Sequence, residues 1–235
     1  MYFNVLDHWK QIDDIAKSES LYVYRVFFTG LTPPLATQLA NVLDKKQLIS
    51  RIVIGKCELN DDELSEILKK LIFKAYELEI NSIDISTKPQ SLAIILQALN
   101  RKKSWFLKDR PVLKGLTLRD TRVEPLASGM SSNMLEISID IPRIDNDLSK
   151  EISKSLGATP NLEKFCLRTA SISNRQLISI ASGISKLAKM KRFSLNLNKK
   201  GSSVDPGDCD SGLASVAQAL ESLKHLQSIH FANCA

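Results

Sequence analysis

The chain has 235 residues, 43% of them hydrophobic and 25% charged, a length that suits one elongated domain or two compact ones and a composition ordinary for a soluble globular protein. No apolar run approaches the roughly 20 residues that cross a bilayer, and the opening MYFNVLDHWK carries Asp7 and no apolar core, so no secretory signal is expected. The net charge of +6 is uneven, with nine Lys or Arg against Glu163 alone over residues 162–201 and one Lys against four acids over residues 202–235.

Residues 4–18, NVLDHWKQIDDIAKS, read as an amphipathic helix that caps the first strand, so that residues 1–20 form an N-terminal cap. A strand follows from Leu21, in LYVYRVFFTGL. Pro33 and Pro34 then stand where a helix starts, ahead of Leu35 and Leu39. The stretch ISRIVIGKCEL from Ile49 is neither apolar throughout nor cleanly alternating. After LNDD, Leu64, Ile67, Leu68 and Leu71 fall at helical spacing. Further strand-like stretches begin at Ile80 (INSIDISTK), Leu113 (LKGLTLRDTRV), Met134 (MLEISIDIPRI), Leu162 (LEKFCLRTASI), Met190 (MKRFSLNLN) and Leu226 (LQSIHFANC). Between them, Leu177, Ile180, Ala181, Ile184 and Leu187 make a helical stripe behind a Ser173 or Asn174 cap. Leu213, Val216, Ala217, Leu220 and Leu223 repeat that stripe.

All eight strand-like stretches fit one template, I-x-x-I-x-I-x-x-C-x-L, with apolar residues at its positions 1, 4 and 6. The starts are spaced by 28, 31, 33, 21, 28, 28 and 36 residues. This series resembles the leucine-rich repeat family, whose motif is L-x-x-L-x-L-x-x-N/C-x-L at about 20–29 residues per unit. The resemblance covers about 215 of the 235 residues. Strand plus full helix in about 28 residues is similar to the ribonuclease-inhibitor subtype. It implies an α/β solenoid, a horseshoe with parallel strands on the concave face and helices on the convex face, over residues 21–235 in about eight units, the last incomplete. It also implies a ladder of ninth-position Asn or Cys side chains bonded to neighbouring backbone. Cys57, Cys234 and Asn198 match that ladder, whereas Lys88, Pro142 and Ala170 do not, so it should be irregular in the middle.

Within each unit, positions 3, 5 and 7 should face outward from the strand. Unit by unit this gives Val23, Arg25 and Phe27, then Arg51, Val53 and Gly55, then Ser82, Asp84 and Ser86, then Gly115, Thr117 and Arg119. The later units give Glu136, Ser138 and Asp140, then Lys164, Cys166 and Arg168, then Arg192, Ser194 and Asn196, then Ser228, His230 and Ala232. Solenoids bind through this face, and Arg168 and Arg192 are its best anchors because Arg is enriched at interface hot spots. The opposing reading is a solvated sheet face with no ligand.

Other features carry less. RKKSWFLKDR, residues 101–110, mixes basic residues with Trp105 and Phe106, as a membrane surface or nucleic acid would require; the plainer reading is a basic helix end and a loop whose aromatics tuck beneath the sheet. DPGDCDSG, residues 205–212, lacks the D-x-D-x-D-G and closing Glu of a calcium loop and reads as a polar turn ending in an Asp210 or Ser211 cap. His8, His225 and His230 have no matching nucleophile. The four cysteines, Cys57, Cys166, Cys209 and Cys234, form no CxxC and read as reduced thiols. Cys166, between Lys164 and Arg168, is either a reactive thiolate or a plain free thiol.

The reading is a cytoplasmic, non-enzymatic scaffold with no cofactor and no metal, binding another protein that carries an acidic patch through the strand face and flanking loops. Two alternatives stand beside it. One is nucleic acid or anionic lipid bound at the basic 162–201 face. The other is a bacterial effector with eukaryote-like repeats that targets a host protein in the host cytosol. An enzyme is the last-ranked reading, since no catalytic constellation is visible. The series stops at a repeat strand, which implies a dimer, a further domain or a partner over that edge.

Overall fold

The computed structural model describes residues 5–20, 22–101, 112–127, 129–130, 132–197 and 210–234. The chain forms two compact units, Met1–Gly115 and Leu116–Ala235. Each is built of parallel strands in chain order, with a helix or helical turn after every strand but the last described one. That is the strand–helix repeat of a leucine-rich-repeat-like α/β solenoid.

In the first unit the chain runs α1 (Val5–Lys17), β1 (Tyr22–Phe28), α2 (Pro33–Asp44), β2 (Leu48–Ile54), α3 (Asp61–Leu71), β3 (Ala75–Asn81) and α4 (Pro89–Leu99). Short 3-10 turns lie at Ile72–Lys74 and Ile85–Thr87. Strand register brings Val26, Ile52 and Leu78 into one inward row and Phe28, Ile54 and Ile80 into the next, and all six are buried. Helix α2 starts on the two prolines, whose missing N–H groups cost nothing there. Asn60 and Glu63 cap α3 reciprocally. Helix α1 buries Ile12, and Lys46 fixes the segment after it by donating from Nζ to the Ser18 and Ser20 carbonyls at 2.7 and 2.8 Å.

Two registers differ from the sequence reading. The third strand does not start at Ile80 but is Ala75–Asn81, with Ile49 opposite Ala75. The template fits equally as Ala75, Leu78, Ile80, Ile83 and Ile85, and the alanine at position 1 hid that frame. The chain leaves the strand at Ser82, whose φ is +52°, and Asp84 turns it further by accepting from the Ser86 amide at 3.0 Å. Asp84 is therefore a turn residue, and neither it, Ser82 nor Ser86 lies on the strand face. In the first repeat the frame starts at Val23, opposite Ile49, rather than Leu21. Tyr24, placed inward by the earlier frame, is 83% exposed.

The second unit opens on β4 (Gly115–Arg119), whose first residue closes the first unit. It then runs α5 (Glu124–Ala127), β5 (Glu136–Arg143), α6 (Asn146–Gly157), β6 (Lys164–Ser171), α7 (Asn174–Ile184), β7 (Arg192–Leu197), α8 (Asp210–Glu221) and β8 (Ser228–Ala232). The short fourth repeat leaves four residues of helix, as its length required. The frames from Met134, Leu162, Met190 and Leu226 agree with the strand pairing. Phe165 and Phe193, and then Phe193 and Phe231, meet with ring centroids 6.2 and 5.9 Å apart. Gln176 completes the Ser173 cap of α7 by accepting from the Ser173 amide at 2.7 Å.

The ninth-position ladder survives in fragments. Cys234 Sγ lies 3.3 Å from its own strand's Ala232 carbonyl and 3.9 Å from the Leu195 carbonyl of the previous repeat. Where Pro142 and Ala170 break it, the buried Thr169 hydroxyl lies within reach of the Pro142 and Ser171 carbonyls, at 3.4 and 3.2 Å. Asn198 lies outside the described residues, as do Cys209 and residues 102–110 of the basic–aromatic segment. Among the described residues no helix is long and apolar enough to cross a membrane.

Candidate functional site

A parallel strand repeated in register stacks equivalent side chains in rows across the sheet. In the first unit one outward row is Arg25, Arg51 and Glu77, and the next is Phe27, Val53 and Glu79. Arg51 donates from Nε to Glu77 and also reaches Glu79 at 3.5 Å, while Arg25 reaches the same Glu79 carboxylate at 3.7 Å. Arg25 lies over the half-buried Phe27 ring, 5.4 Å from its centroid. Glu79 is only 6% exposed, so a carboxylate sits low in the face under two guanidinium groups. Gly115 leaves room for the Glu77 chain, since a Cβ there would come within 2.9 Å of the Glu77 Cγ.

In the second unit the rows across β5 to β8 are Glu136, Lys164, Arg192 and Ser228, then Ser138, Cys166, Ser194 and His230, then Asp140, Arg168, Asn196 and Ala232. Glu136 takes Lys164 at 3.1 Å and, from across two strands, Arg192 at 3.5 Å. Asp140 takes Arg168 at 3.6 Å. The cations keep much of their surface, with side chains 41%, 52% and 58% exposed for Lys164, Arg168 and Arg192. Between the two charged rows runs a row of small, half-buried side chains, Ser138, Cys166 and Ser194, that ends at exposed His230. Asn196 accepts from Asn233 at 2.9 Å. Arg119 is exposed on β4.

Of the charged, aromatic and polar residues that the sequence placed on the strand face, Arg25, Phe27, Arg51, Arg119, Glu136, Asp140, Lys164, Arg168, Arg192, Asn196 and His230 lie on outward strand positions. Asp84 is the exception. Glu77 and Glu79 were missed because the third frame was misplaced. The alternation in AYELEIN was the signal that would have found them.

The basic stretch from residue 162 does not form one patch among the described residues. Lys164, Arg168 and Arg192 lie on the strand face. Lys191 pairs with Glu163 at 2.9 Å, and Lys189 donates to the Asn161 side chain at 2.8 Å. Lys186 instead joins Lys150 and Lys154 around an open groove of about 570 Å³ between α6 and α7. Among the thiols, burial pushes Cys57 above the ordinary range, and a backbone hydrogen bond at Leu59 offsets this only in part. Among the described residues no group of three His, Cys, Asp or Glu could hold a metal ion.

No family model matches the chain, and no curated protein matches it. A solved structure to which it is similar is the tropomodulin C-terminal domain of Caenorhabditis elegans, 13% identical, with 92% of each chain covered and a TM-score of 0.27. The fold assignment rests on the strand register above, to which a superposition at that score adds nothing.

Proposed function

We propose that this chain is a non-enzymatic interaction module that binds another protein through its strand face and the adjoining loops. The observation that carries the reading is the second unit's pair of charged rows flanking a row of small side chains. Rows held at strand spacing present fixed charges without loss of side-chain freedom on binding, and that favours specific association. Lys164, Arg168 and Arg192 outnumber Glu136 and Asp140, so carboxylates on a partner compete for the same cations. An acidic patch is the chemistry that fits. The full-length helices α2, α3, α6 and α7, of 11 or 12 residues, support a ribonuclease-inhibitor-like repeat as the scaffold.

The test is a crosslinking capture from lysate, wild type beside the Arg168→Glu, Arg192→Glu double variant. A protein held by wild type and released by the variant supports the strand face. The same set retained by both removes it. The anionic-ligand alternative has one observation in its favour, the three lysines around the α6–α7 groove. Salt-sensitive retardation of RNA or anionic vesicles that is lost in Lys154→Glu, Lys186→Glu would support it. Absence of retardation at low salt would end it.

A further inference from the structure

The polar side chains lining the open groove between α6 and α7 are three ammonium groups and two hydroxyls. Lys150, Lys154 and Lys186 are exposed on its rim, and Ser153 and Ser179 are half-buried in it. Among the described residues no carboxylate lines the groove. Asp147 pairs with Lys150 at 3.1 Å from outside it, with a side chain 92% exposed, while Lys154 and Lys186 form no ion pair among the described residues. The two hydroxyls are equally uncommitted. Ser149 and Ser155 on the same helix are not, since they donate to the Asn146 and Glu151 carbonyls at 2.8 and 2.7 Å. Packing fixes the arrangement. Gly183 brings α7 so close to α6 that a Cβ there would meet the Ser153 carbonyl oxygen at 2.6 Å. Lys186 crosses from α7 over Gly157 of α6, where an added Cβ would lie 3.3 Å from its Cδ and 3.7 Å from its Nζ. Lys154 stands three residues before Gly157, a neighbour on the helix surface, and Lys150 one turn before that.

We propose that this groove binds a compact ligand carrying two phosphate groups. Ammonium groups donate and cannot accept, and with no acid among them they call for an acceptor that brings its own negative charge. A phosphate group carries about −1.5 to −2 at neutral pH and three strong acceptor oxygens, so two of them match three ammonium groups with two hydroxyls beside them. The negative end of α6 would favour nearby lysines unaided, but it gives no reason for serine hydroxyls left unbonded between them. The lining also selects against larger anions. It holds no aromatic side chain on which nucleic-acid bases could stack and no large apolar one to enter a membrane surface, being otherwise glycine and alanine. Its volume of about 570 Å³ falls within the roughly 300–1,000 Å³ of small-molecule sites. The inference rests on the anionic-ligand reading of this groove and narrows its ligand; it is independent of what the strand face binds.

Equilibrium dialysis of the full chain against radiolabelled inorganic pyrophosphate, at fixed ionic strength and without divalent metal, tests it. Saturable binding at one site per chain with a Kd below about 1 mM is expected. No saturable binding in that range overturns the proposal. Lys154→Gln with Lys186→Gln should weaken binding at least about tenfold, and Ser153→Ala with Ser179→Ala about three- to tenfold. The charge-matched pair Lys45→Gln, Lys224→Gln, both exposed and outside the groove, should bind as wild type. Equal loss in the two lysine pairs would reveal diffuse attraction and overturns the site. A serine pair that binds as wild type leaves the lysines to the helix end alone and also overturns it. Inorganic phosphate should bind more weakly than pyrophosphate; equal affinity contradicts the second phosphate group. RNA or anionic vesicles held through Lys154 and Lys186 without any pyrophosphate binding would keep the broader anionic-ligand reading and remove this one.

Discussion

Arg51 is the residue on which the first unit's strand face most depends, and the cost of removing it separates two accounts of that face. Its side chain is 30% exposed, and it holds Glu77 as well as Glu79, whose side chain is 8% exposed. An exposed pair would contribute about 0–1 kcal/mol. Removing one partner of a fully buried pair costs about 3–5 kcal/mol, because the remaining charge stays desolvated. Arg51→Ala lies between these limits, since Arg25 still reaches Glu79 at 3.7 Å, and the expected loss is about 2–3 kcal/mol. Glu79→Leu should behave differently. It removes the buried charge itself, places an apolar chain beside Val53, and leaves Arg25 and Arg51 on the wetter side of the face with Glu77. Apolar replacement of buried ions is often neutral or stabilising, so the expected change is within about 1 kcal/mol of wild type. Urea denaturation followed by circular dichroism measures both, read as midpoint shifts at constant slope. The reasoning fails if Arg51→Ala unfolds at the wild-type midpoint, or if Glu79→Leu costs more than Arg51→Ala.

Three further outcomes follow from single contacts. A Cβ at Gly183 would meet the Ser153 carbonyl oxygen at 2.6 Å and Cα at 2.8 Å. Gly183→Ala should therefore lose about 1–2 kcal/mol by denaturant midpoint, overpacking of about 1–3 kcal/mol outweighing the helix-propensity gain of about 1. Gly157→Ala meets only the flexible Lys186 chain at 3.3 Å and should be neutral or mildly stabilising in the same assay. Asp61, in the first turn of α3, accepts from the Gln90 amide at 2.8 Å and the Ser91 amide and hydroxyl at 2.9 and 2.7 Å, so it caps α4 from the neighbouring helix. Desolvation raises its carboxyl, and the Ser91 and Gln90 hydrogen bonds outweigh that, holding it below the ordinary range. A lowered folded-state value gives stability that is present above the unfolded value and lost as pH falls through the folded one. Asp61→Ala should thus cost about 1 kcal/mol at neutral pH, with the difference from wild type shrinking in thermal melts taken below about pH 4.

The repeat itself was legible because burial imposes it. Apolar residues at positions 1, 4 and 6 cannot be exchanged for polar ones without exposing the core, and the frames from Ile49, Leu113, Met134, Leu162, Met190 and Leu226 needed no correction. The two misplaced frames fail for a physical reason. At Ala75 the first apolar position is filled by the smallest side chain that can hold it, while Ile83 and Ile85, which pack after the strand, imitate positions 4 and 6. At Leu21 the aromatic run YVYRVFF offers apolar side chains on both parities, so alternation cannot choose a side. The outward residues were legible as a set, but their pairing was not. Arg168 and Arg192 looked like free cations because Asp140 and Glu136 lie 28 and 56 positions earlier, one and two strands away. Arg51 likewise looked free, because Glu77 and Glu79 are invisible until the third frame is right.

This pairing changes what the charge of the chain means for binding. A run of cations in sequence reads as a field that attracts any polyanion, and such attraction is weakly selective. In the fold, Lys164 and Arg192 converge on Glu136 while Arg168 turns to Asp140, so each cation must be drawn from a carboxylate already present. A partner that supplies an acid at only one of these places breaks an ion pair and gains one of similar strength. A partner that supplies acids on both sides of the Ser138–Cys166–Ser194 row replaces both pairs at once and covers the small side chains between them. The internal pairs therefore lower affinity for diffuse negative charge more than for a spaced arrangement, and discrimination arises from that difference in free energy. The comparison to make is an acidic peptide against polyaspartate of equal charge, with selectivity expected to vanish in Glu136→Gln, Asp140→Asn, where the cations are released to bind any anion.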